Sequence, residues 1–183
     1  NFFNCIVGAN NGGAILVSSP NCTVSNSNFA NCIGTVKGGA INWIGDDGAL
    51  TDCTFDNCHA NEYGAVLWTG TNAVISNSNF TNCYSSSGSG GAIGVEGHYR
   101  TFTILNSNFI NCSSNGHGGA IFWKDGNGND YNVNNSYFFN CSAVSQGGAI
   151  YGGVKAYNSN FDNCSANEGG AMFKGSATNC MFT

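Results

Sequence analysis

The sequence predicts an all-β fold, a right-handed parallel β-helix of about seven coils with three short strands in each coil. Two blocks, Phe-x-Asn-Cys and Gly-Gly-Ala-Ile, recur in the same order along the whole chain. Their period of 23 to 29 residues is too short for paired-helix repeats, and the leucine pattern of leucine-rich repeats is missing. The 183 residues also include 27 Gly, with many Asn and Ser, and this composition disfavours helices.

The Phe-x-Asn-Cys block opens each repeat, beginning with Phe2 and ending with a copy that starts at Phe182. Because stacked coils lie about 4.8 Å apart, equivalent residues lie directly above one another. We therefore expect a core ladder, in which each burial contributes roughly 1.5–3 kcal/mol. Its members are Phe29, Phe55, Phe80, Phe109, Phe138 and Phe161. The Asn of each block tolerates the left-handed backbone conformation and is expected to hydrogen-bond along the stack.

The Gly-Gly-Ala-Ile block supplies a bend and a second core ladder. The Gly pair permits positive φ, and Tyr63 replaces the first Gly in one copy. The ladder consists of Ile41, Val66, Ile93, Ile121 and Ile150. Trp43, Trp68 and Trp123 each follow an anchor by two residues, so a regular strand would point them into the core. If a bend turned them outward, they would form a carbohydrate-binding surface; the spacing favours the core.

Seven of the ten cysteines occupy one repeat position and form a third ladder. They are Cys5, Cys32, Cys58, Cys83, Cys112, Cys141 and Cys164. Stacked Cα atoms about 5 Å apart would allow disulfides, but an odd-membered ladder cannot pair completely. Buried Cys is also a good small apolar residue, so a reduced packing ladder is favoured. A zinc site is disfavoured because Cys-x-x-Cys spacing is missing.

Composition excludes several classes of function. Only 8% of the residues are charged, the net charge is −5, and Lys and Arg number five in total without a cluster. Binding to nucleic acid is therefore not expected, and neither is electrostatic binding to anionic membranes. No run of 18 apolar residues is present, so we expect no membrane insertion. No metal, cofactor or catalytic residue is predicted.

The domain organisation predicted is a single β-helix array over residues 1–183. The array starts and stops in mid-repeat, and no polar cap is visible. Because free solenoid ends expose strand edges, we expect a segment of a longer chain or end-to-end self-association.

Two neighbouring coils are longer than the others and provide the candidate binding residues. Ile93 to Phe109 takes 16 residues and Ile121 to Phe138 takes 17, whereas the other coils use 14 or fewer. Protruding loops with mixed charge and aromatic residues are typical of binding surfaces, although simple length variation is the alternative. The candidates are Glu96, His98, Tyr99 and Arg100 in the first loop and Lys124, Asp125, Asn127, Asn129, Asp130 and Tyr131 in the second.

Two acidic stretches and the Asn-x-Ser/Thr triplets are candidate calcium and glycosylation sites. Asp46-Asp47-Gly48 offers oxygen ligands, but a solvated turn is favoured there. The stretch 125–130 also offers oxygen ligands, but calcium is disfavoured because Asp130 takes the place of the sharp-turn Gly and Ser136 that of the bidentate Glu. Among the Asn-x-Ser/Thr triplets, Asn21 and Asn79 are the better glycosylation candidates because they lie outside the Asn ladder.

The extended blocks Gly38–Trp43 and Gly118–Trp123, combined with Phe-x-Asn-Cys, resemble the repeats of adhesin-like surface proteins of methanogenic archaea. They are also similar to the repeats of chlamydial polymorphic membrane proteins. The resemblance covers essentially the full chain. It implies a right-handed parallel β-helix at the cell surface, outside the cell, with adhesive or structural work and no known catalysis. The partner it implies is a cell-surface glycan or protein.

Two alternatives stay open beside a non-enzymatic adhesin-like segment. Parallel β-helices also host polysaccharide lyases and glycoside hydrolases, which need clustered acids. Glu96 and Asp125, with Arg100 nearby, are the only such group that the sequence brings together. The scarcity of basic residues disfavours a polyanionic substrate. The other alternative is a fibre or stalk component that assembles with copies of itself.

Overall fold

The computed structural model of the chain describes residues 1–8, 10–97, 101–124 and 130–183. Within these ranges the regular structure consists of short β-strands, and each pairs in parallel with the equivalent strands of neighbouring coils. The predicted all-β parallel β-helix is confirmed.

The Phe block and the residues that follow it build two of the sheets. The first sheet contains Phe2–Phe3, Asn28–Ala30, Thr54–Asp56, Asn79–Thr81, Asn108–Ile110, Tyr137–Phe139, Asn160–Asp162 and Met181–Phe182. The second sheet contains Ile6–Val7, Ile33–Lys37, His59–Glu62, Tyr84–Ser85, Ser113–Ser114 and Ser142–Ala143.

The Gly-Gly-Ala-Ile block leads into the other two sheets. The third sheet contains Ile15–Val17, Ile41–Trp43, Val66–Trp68, Ile93–Val95, Ile121–Trp123, Ile150–Tyr151 and Met172–Phe173. The fourth sheet contains Thr23–Ser25, Ala49–Thr51, Ala73–Ser76, Phe102–Leu105, Tyr131–Asn134, Lys155–Tyr157 and Ser176–Thr178.

The prediction of three strands in each coil is wrong, since a full coil of the described residues contributes one strand to each of four sheets. The extra corner lies at the Asn of the Phe block, where Asn31 has a φ of 53° and turns the chain from the first sheet into the second. Strands of the second sheet are as short as the two residues Tyr84–Ser85. Such strands contain Ser and lack the apolar run by which a strand is recognised.

The predicted Phe and aliphatic ladders are buried, as the repeat indicated. Phe rings of successive coils stack with their centroids 4.6–4.9 Å apart, which matches the spacing of parallel strands. Trp43, Trp68 and Trp123 are fully buried, and the first two stack at 4.2 Å. The core position predicted for them is confirmed, and an outward Trp surface is excluded.

The Asn ladder is confirmed both in its backbone conformation and in its hydrogen bonds. Asn140 has a φ of 53°, and its Nδ2 donates to Asn111 Oδ1 at 2.9 Å. Asn163 Nδ2 in turn donates to Asn140 Oδ1 at 3.1 Å. At Asn82 the pattern changes, because its Nδ2 donates to Asp56 Oδ1 at 3.3 Å. The exposed corner is therefore held by side-chain amides that link successive coils.

The cysteine ladder lies inside the coils. Cys32, Cys58, Cys83, Cys112 and Cys141 are fully buried, and all ten cysteines are free thiols. Each ladder thiol from Cys32 onward lies near the carbonyl oxygen of a Phe in the preceding coil; Cys112 Sγ, for example, donates to Phe80 O at 3.5 Å. These contacts are those expected of packing residues with weak S–H donors.

Candidate functional site

The outer face of the third sheet brings together chemically distinct side chains. Glu96 and Lys124, two of the predicted binding residues, lie at this face directly after the strands Ile93–Val95 and Ile121–Trp123. Six other predicted residues lie outside the residues that the structure describes: His98, Tyr99, Arg100, Asp125, Asn127 and Asn129.

Glu96 is the centre of a polar network on this face. Its Oε1 accepts hydrogen bonds from Lys37 Nζ at 2.8 Å and from Tyr63 OH at 2.7 Å. Lys124 Nζ lies 3.4 Å from the same oxygen, and Lys37 also pairs with Glu62 Oε2 at 3.1 Å. The other oxygen, Glu96 Oε2, has no hydrogen-bond partner among the described residues. Glu96 Oε1 thus accepts three hydrogen bonds, while the described residues offer none to Oε2.

The network fixes the protonation states of its members. Burial would raise the pKa of Glu96, but the hydrogen bonds from Lys37 and Tyr63 and the charges of both lysines outweigh it and hold the pKa below 4.5. Burial would lower the pKa of Lys37, yet its hydrogen bonds to Glu96 and Glu62 raise it above 10.5. Burial and the hydrogen bond to Glu96 raise the pKa of Tyr63. At neutral pH Glu96 is therefore a carboxylate, Lys37 is an ammonium group and Tyr63 is a neutral phenol that donates.

Tyr63 reaches Glu96 because two residues depart from the repeat. Tyr63 occupies the place of the first Gly with a φ of 56°, and its side chain is 3% exposed. Gly94 lies in register with Leu67 and Phe122 of the adjacent coils. A Cβ atom on Gly94 would overlap the Tyr63 ring. The phenol therefore lies across the outer face of the sheet in the space that a larger residue would fill.

A cleft of about 310 Å³ lies beside this network. Its lining includes Lys37, Glu62, Tyr63, Glu96, Phe122 and Lys124, and we refer to it as the Glu96 cleft. Gly88 and Ser89 also line the cleft, and a Cβ atom on Gly88 would overlap the side chain of Glu62. The cleft therefore depends on small residues in the coil between Tyr63 and Phe122.

A row of stacked rings continues from the cleft along the outer face of the third sheet. It consists of Tyr63, Phe122, Tyr151 and Phe173, with successive centroids 6.1, 5.2 and 5.5 Å apart, and we refer to it as the aromatic strip. Phe122, Tyr151 and Phe173 are partly exposed. Lys174 Nζ lies 5.4 Å from the Tyr151 ring centroid, within the range of cation–π attraction.

Two of the predicted binding residues are placed elsewhere. The expectation that Tyr131 projects from a loop is wrong, because it pairs in register with Phe102 at the start of a strand and is 3% exposed. Its hydroxyl donates to Gly97 O at 3.1 Å, and its ring stacks near Trp123. Asp130 is exposed and pairs with Lys155 at 3.1 Å, away from the Glu96 network. Exposed pairs of this kind contribute about 0–1 kcal/mol.

The acidic turn after Trp43 is a hydrogen-bonded corner. Asp46 Oδ1 accepts from both the backbone N–H and the hydroxyl of Thr71, and Asp47 Oδ1 accepts from Asn72 Nδ2. In the part of the chain that the structure describes, no group of three or more His, Cys, Asp or Glu side chains could hold a metal ion. Residues 125–129 of the second acidic stretch lie outside that part.

The glycosylation candidates Asn21 and Asn79 are both exposed. Asn21 lies at a bend with a φ of 57°, and Asn79 Oδ1 accepts from Asn108 Nδ2 at 2.8 Å. Glycosylation requires an exposed Asn, so both positions are accessible to it. The glycosylation of these residues stays a prediction.

Sequence reasoning missed several members of the site. Phe122 and Tyr151 carried a signal, since each directly follows an Ile anchor and must face outward on a strand whose anchor faces inward. Tyr63 is visible in the sequence as a departure from Gly, but nothing in the sequence indicates that it contacts Glu96. Lys37 carried no signal, because it lies 59 residues from Glu96 along the chain.

Together the fold and this face define a β-solenoid repeat protein with one aromatic and charged face. No protein-family model, curated protein or solved structure matches the chain. Among the described residues there is no helix with the length and apolar character that crossing a membrane needs.

Proposed function

We propose that this chain is a non-enzymatic β-helix segment of an extracellular, cell-surface protein, and that it mediates adhesion or cell contact by binding carbohydrate. The aromatic strip is the observation that carries the proposal. Stacked rings offer a rigid contact area at a low cost in conformational entropy. The first sheet also presents a pair of rings, Tyr137 and Phe139, but both belong to one strand. The aromatic strip instead joins rings from four coils.

The state of Glu96 favours binding over the glycoside hydrolase alternative. A glycoside hydrolase needs one carboxylic acid that stays protonated to supply the leaving group. Glu96 has a lowered pKa and accepts hydrogen bonds from Lys37 and Tyr63, so it is a poor proton donor at neutral pH. A fixed ionised carboxylate is suited to accepting hydrogen bonds from hydroxyl groups.

Adhesion can be tested with beads that carry the purified chain and are mixed with cells or with insoluble polysaccharide particles. The test variant replaces Tyr151 and Phe173 with Ser, and the control replaces Phe139, a 40% exposed ring on the first sheet. We expect the double variant to lose retention by about tenfold, which corresponds to 1.4 kcal/mol, and the control to retain the wild-type level. Equal retention by all three proteins would overturn the role of the strip.

The two alternatives predict other outcomes. Release of reducing sugar from a polysaccharide panel that Glu96→Gln abolishes would establish an enzyme. A fibre or stalk component predicts association that increases with protein concentration, which sedimentation velocity measures. We expect neither turnover nor concentration-dependent growth under conditions in which the beads adhere.

A further inference from the structure

The Glu96 cleft contains hydrogen-bonding groups for which the described residues provide no partner. Neither Glu96 Oε2 nor Glu62 Oε1 has a partner among the described residues, because the bonds of these carboxylates go to Glu96 Oε1 and Glu62 Oε2. Ser89 Oγ accepts from the backbone N–H of His117 at 3.1 Å, so its own proton can still be donated. Lys124 makes one long bond of 3.4 Å and is 56% exposed.

We propose that the Glu96 cleft binds one uncharged sugar residue of a polysaccharide, with neighbouring hydroxyl groups bridging the carboxylates to Lys124 and Ser89. A hydroxyl group donates one hydrogen bond and accepts others, so a pair of adjacent hydroxyls satisfies both kinds of open group at once. This inference rests on the proposed function and names the class of ligand and its site.

Charge selects an uncharged ligand over an acidic one. Within the cleft, Lys37 and Lys124 balance Glu62 and Glu96, while the whole chain has a net charge of −5. An acidic sugar would place a third carboxylate beside the two already present, and like charges in close contact are unfavourable. A neutral sugar can hydrogen-bond to the ionised acceptors and donors of the cleft without adding charge. Hydrogen bonds that involve a charged group are stronger than those between two neutral groups.

The size of the cleft matches a single ring. Its volume of about 310 Å³ lies at the lower end of the range of about 300–1,000 Å³ that small-molecule sites occupy. Phe122 forms an apolar wall suited to the C–H groups of a sugar. From Phe122 the aromatic strip continues to Tyr151 and Phe173, so further residues of a polysaccharide would follow the same face.

The acceptor is held in place before any ligand arrives. Lys37 is 24% exposed and bridges Glu62 to Glu96, while the buried Tyr63 fixes Glu96 from the side of the sheet. Binding groups that are already ordered cost less conformational entropy on association than mobile ones.

Affinity electrophoresis tests the site with the purified chain in gels that contain a neutral β-glucan, a mannan, a galactan or acidic polygalacturonate. We expect at least one neutral polysaccharide to retard the wild type and polygalacturonate not to do so. Lys124→Met and Phe122→Ala are expected to weaken that binding at least tenfold. Lys155→Met and Phe139→Ala serve as matched controls, because they change an exposed Lys and an exposed Phe outside the cleft.

Circular dichroism of each variant shows whether the fold is intact, and Ser89→Ala provides a third cleft variant that removes only a hydroxyl group. Retardation by polygalacturonate alone, or by none of the polysaccharides, would overturn the inference. Retardation that is equal in cleft and control variants would also overturn it. Bead adhesion is measured separately, so a failure of the cleft leaves the proposed function standing when the beads still adhere.

Discussion

A Cβ atom on Gly119 would overlap the carbonyl oxygen of Gly148, the equivalent residue of the next coil. The same overlap recurs between Gly39 and Gly64, so the second Gly of these two pairs is required for close approach of the coils. The first Gly has a different role, since Gly118 has a φ of 62°. The bend with positive φ that we predicted for the pair is therefore a property of its first member.

Gly119→Ala is expected to destabilise the fold by about 1–3 kcal/mol or more, because the clashing atom belongs to the backbone and cannot rotate away. Gly170→Ala is the matched control at the same motif position, where the nearest atom to an added Cβ is Cys164 O at 3.4 Å. Urea unfolding of both variants measures the difference. Equal loss of stability in the two would show that coil contact does not explain the second Gly.

Asn140→Ala is expected to cost more stability than Asn140→Gly. Both changes remove the bonds to Asn111 and Asn163, but only Ala also strains the left-handed backbone, by roughly 1–2 kcal/mol. The loss of stability in the Gly variant therefore measures the contribution of the ladder hydrogen bonds, about 0.5–1.5 kcal/mol each. The further loss in the Ala variant measures the cost of the left-handed backbone conformation. Thermal unfolding monitored by circular dichroism gives both values; a more stable Ala variant would contradict this division.

The core could be predicted because equivalent residues of successive repeats stack on one another and are buried together. Phe109, Ile121 and Trp123 each lie in register with an apolar residue of the neighbouring coil, and residues in register share an environment. The fourth strand of each coil could not be predicted from apolar pattern, because Ser85 and Ser114 are buried with their hydroxyls bonded to backbone carbonyls. Because Ser is common in turns, the sequence alone suggests a turn at a buried Ser whose hydroxyl is bonded to a backbone carbonyl.

The site was predicted only in part, for a related reason. Glu96 and Lys124 stood out by their charge in two long coils, and the structure places them 3.4 Å apart. The position of the Tyr63 ring depends on the space left by the missing side chain of Gly94. The contact between Lys37 and Glu96 depends on side chains long enough to span two coils. Such contacts arise from local departures from the repeat, which the repeat itself cannot indicate.

Thiol titration tests the state of the cysteine ladder. A thiol reagent reacts only with thiols that it can reach, so burial is expected to protect members of the ladder such as Cys112. Four thiols are partly exposed, namely Cys5, Cys22, Cys164 and Cys180, and the other six are buried. We expect these four to react rapidly with Ellman's reagent, and all ten in denaturant without a reductant. A total below ten would establish disulfides instead.

The stability contributed by the Glu96 network is expected to depend on pH. Because the pKa of Glu96 is lower in the folded chain than its ordinary value of 4.5, its contribution is present above that value and is lost as pH falls through the folded pKa. At pH 7, Glu96→Gln is expected to lower the melting temperature by about 2–4 °C.

The difference between this variant and the wild type is expected to shrink as pH falls through the folded pKa of Glu96, below which both side chains are uncharged. Glu168→Gln, which removes a carboxylate bonded to Gln146 outside the network, is the control, with a smaller effect expected at pH 7. At alkaline pH the sign reverses for Lys37, whose raised pKa means that its contribution persists below 10.5 and is lost above the folded value. Differential scanning calorimetry from pH 3 to pH 9 measures the acid side. A Glu96→Gln difference that stays constant over this range would rule out an ionised Glu96 as the source of the stability.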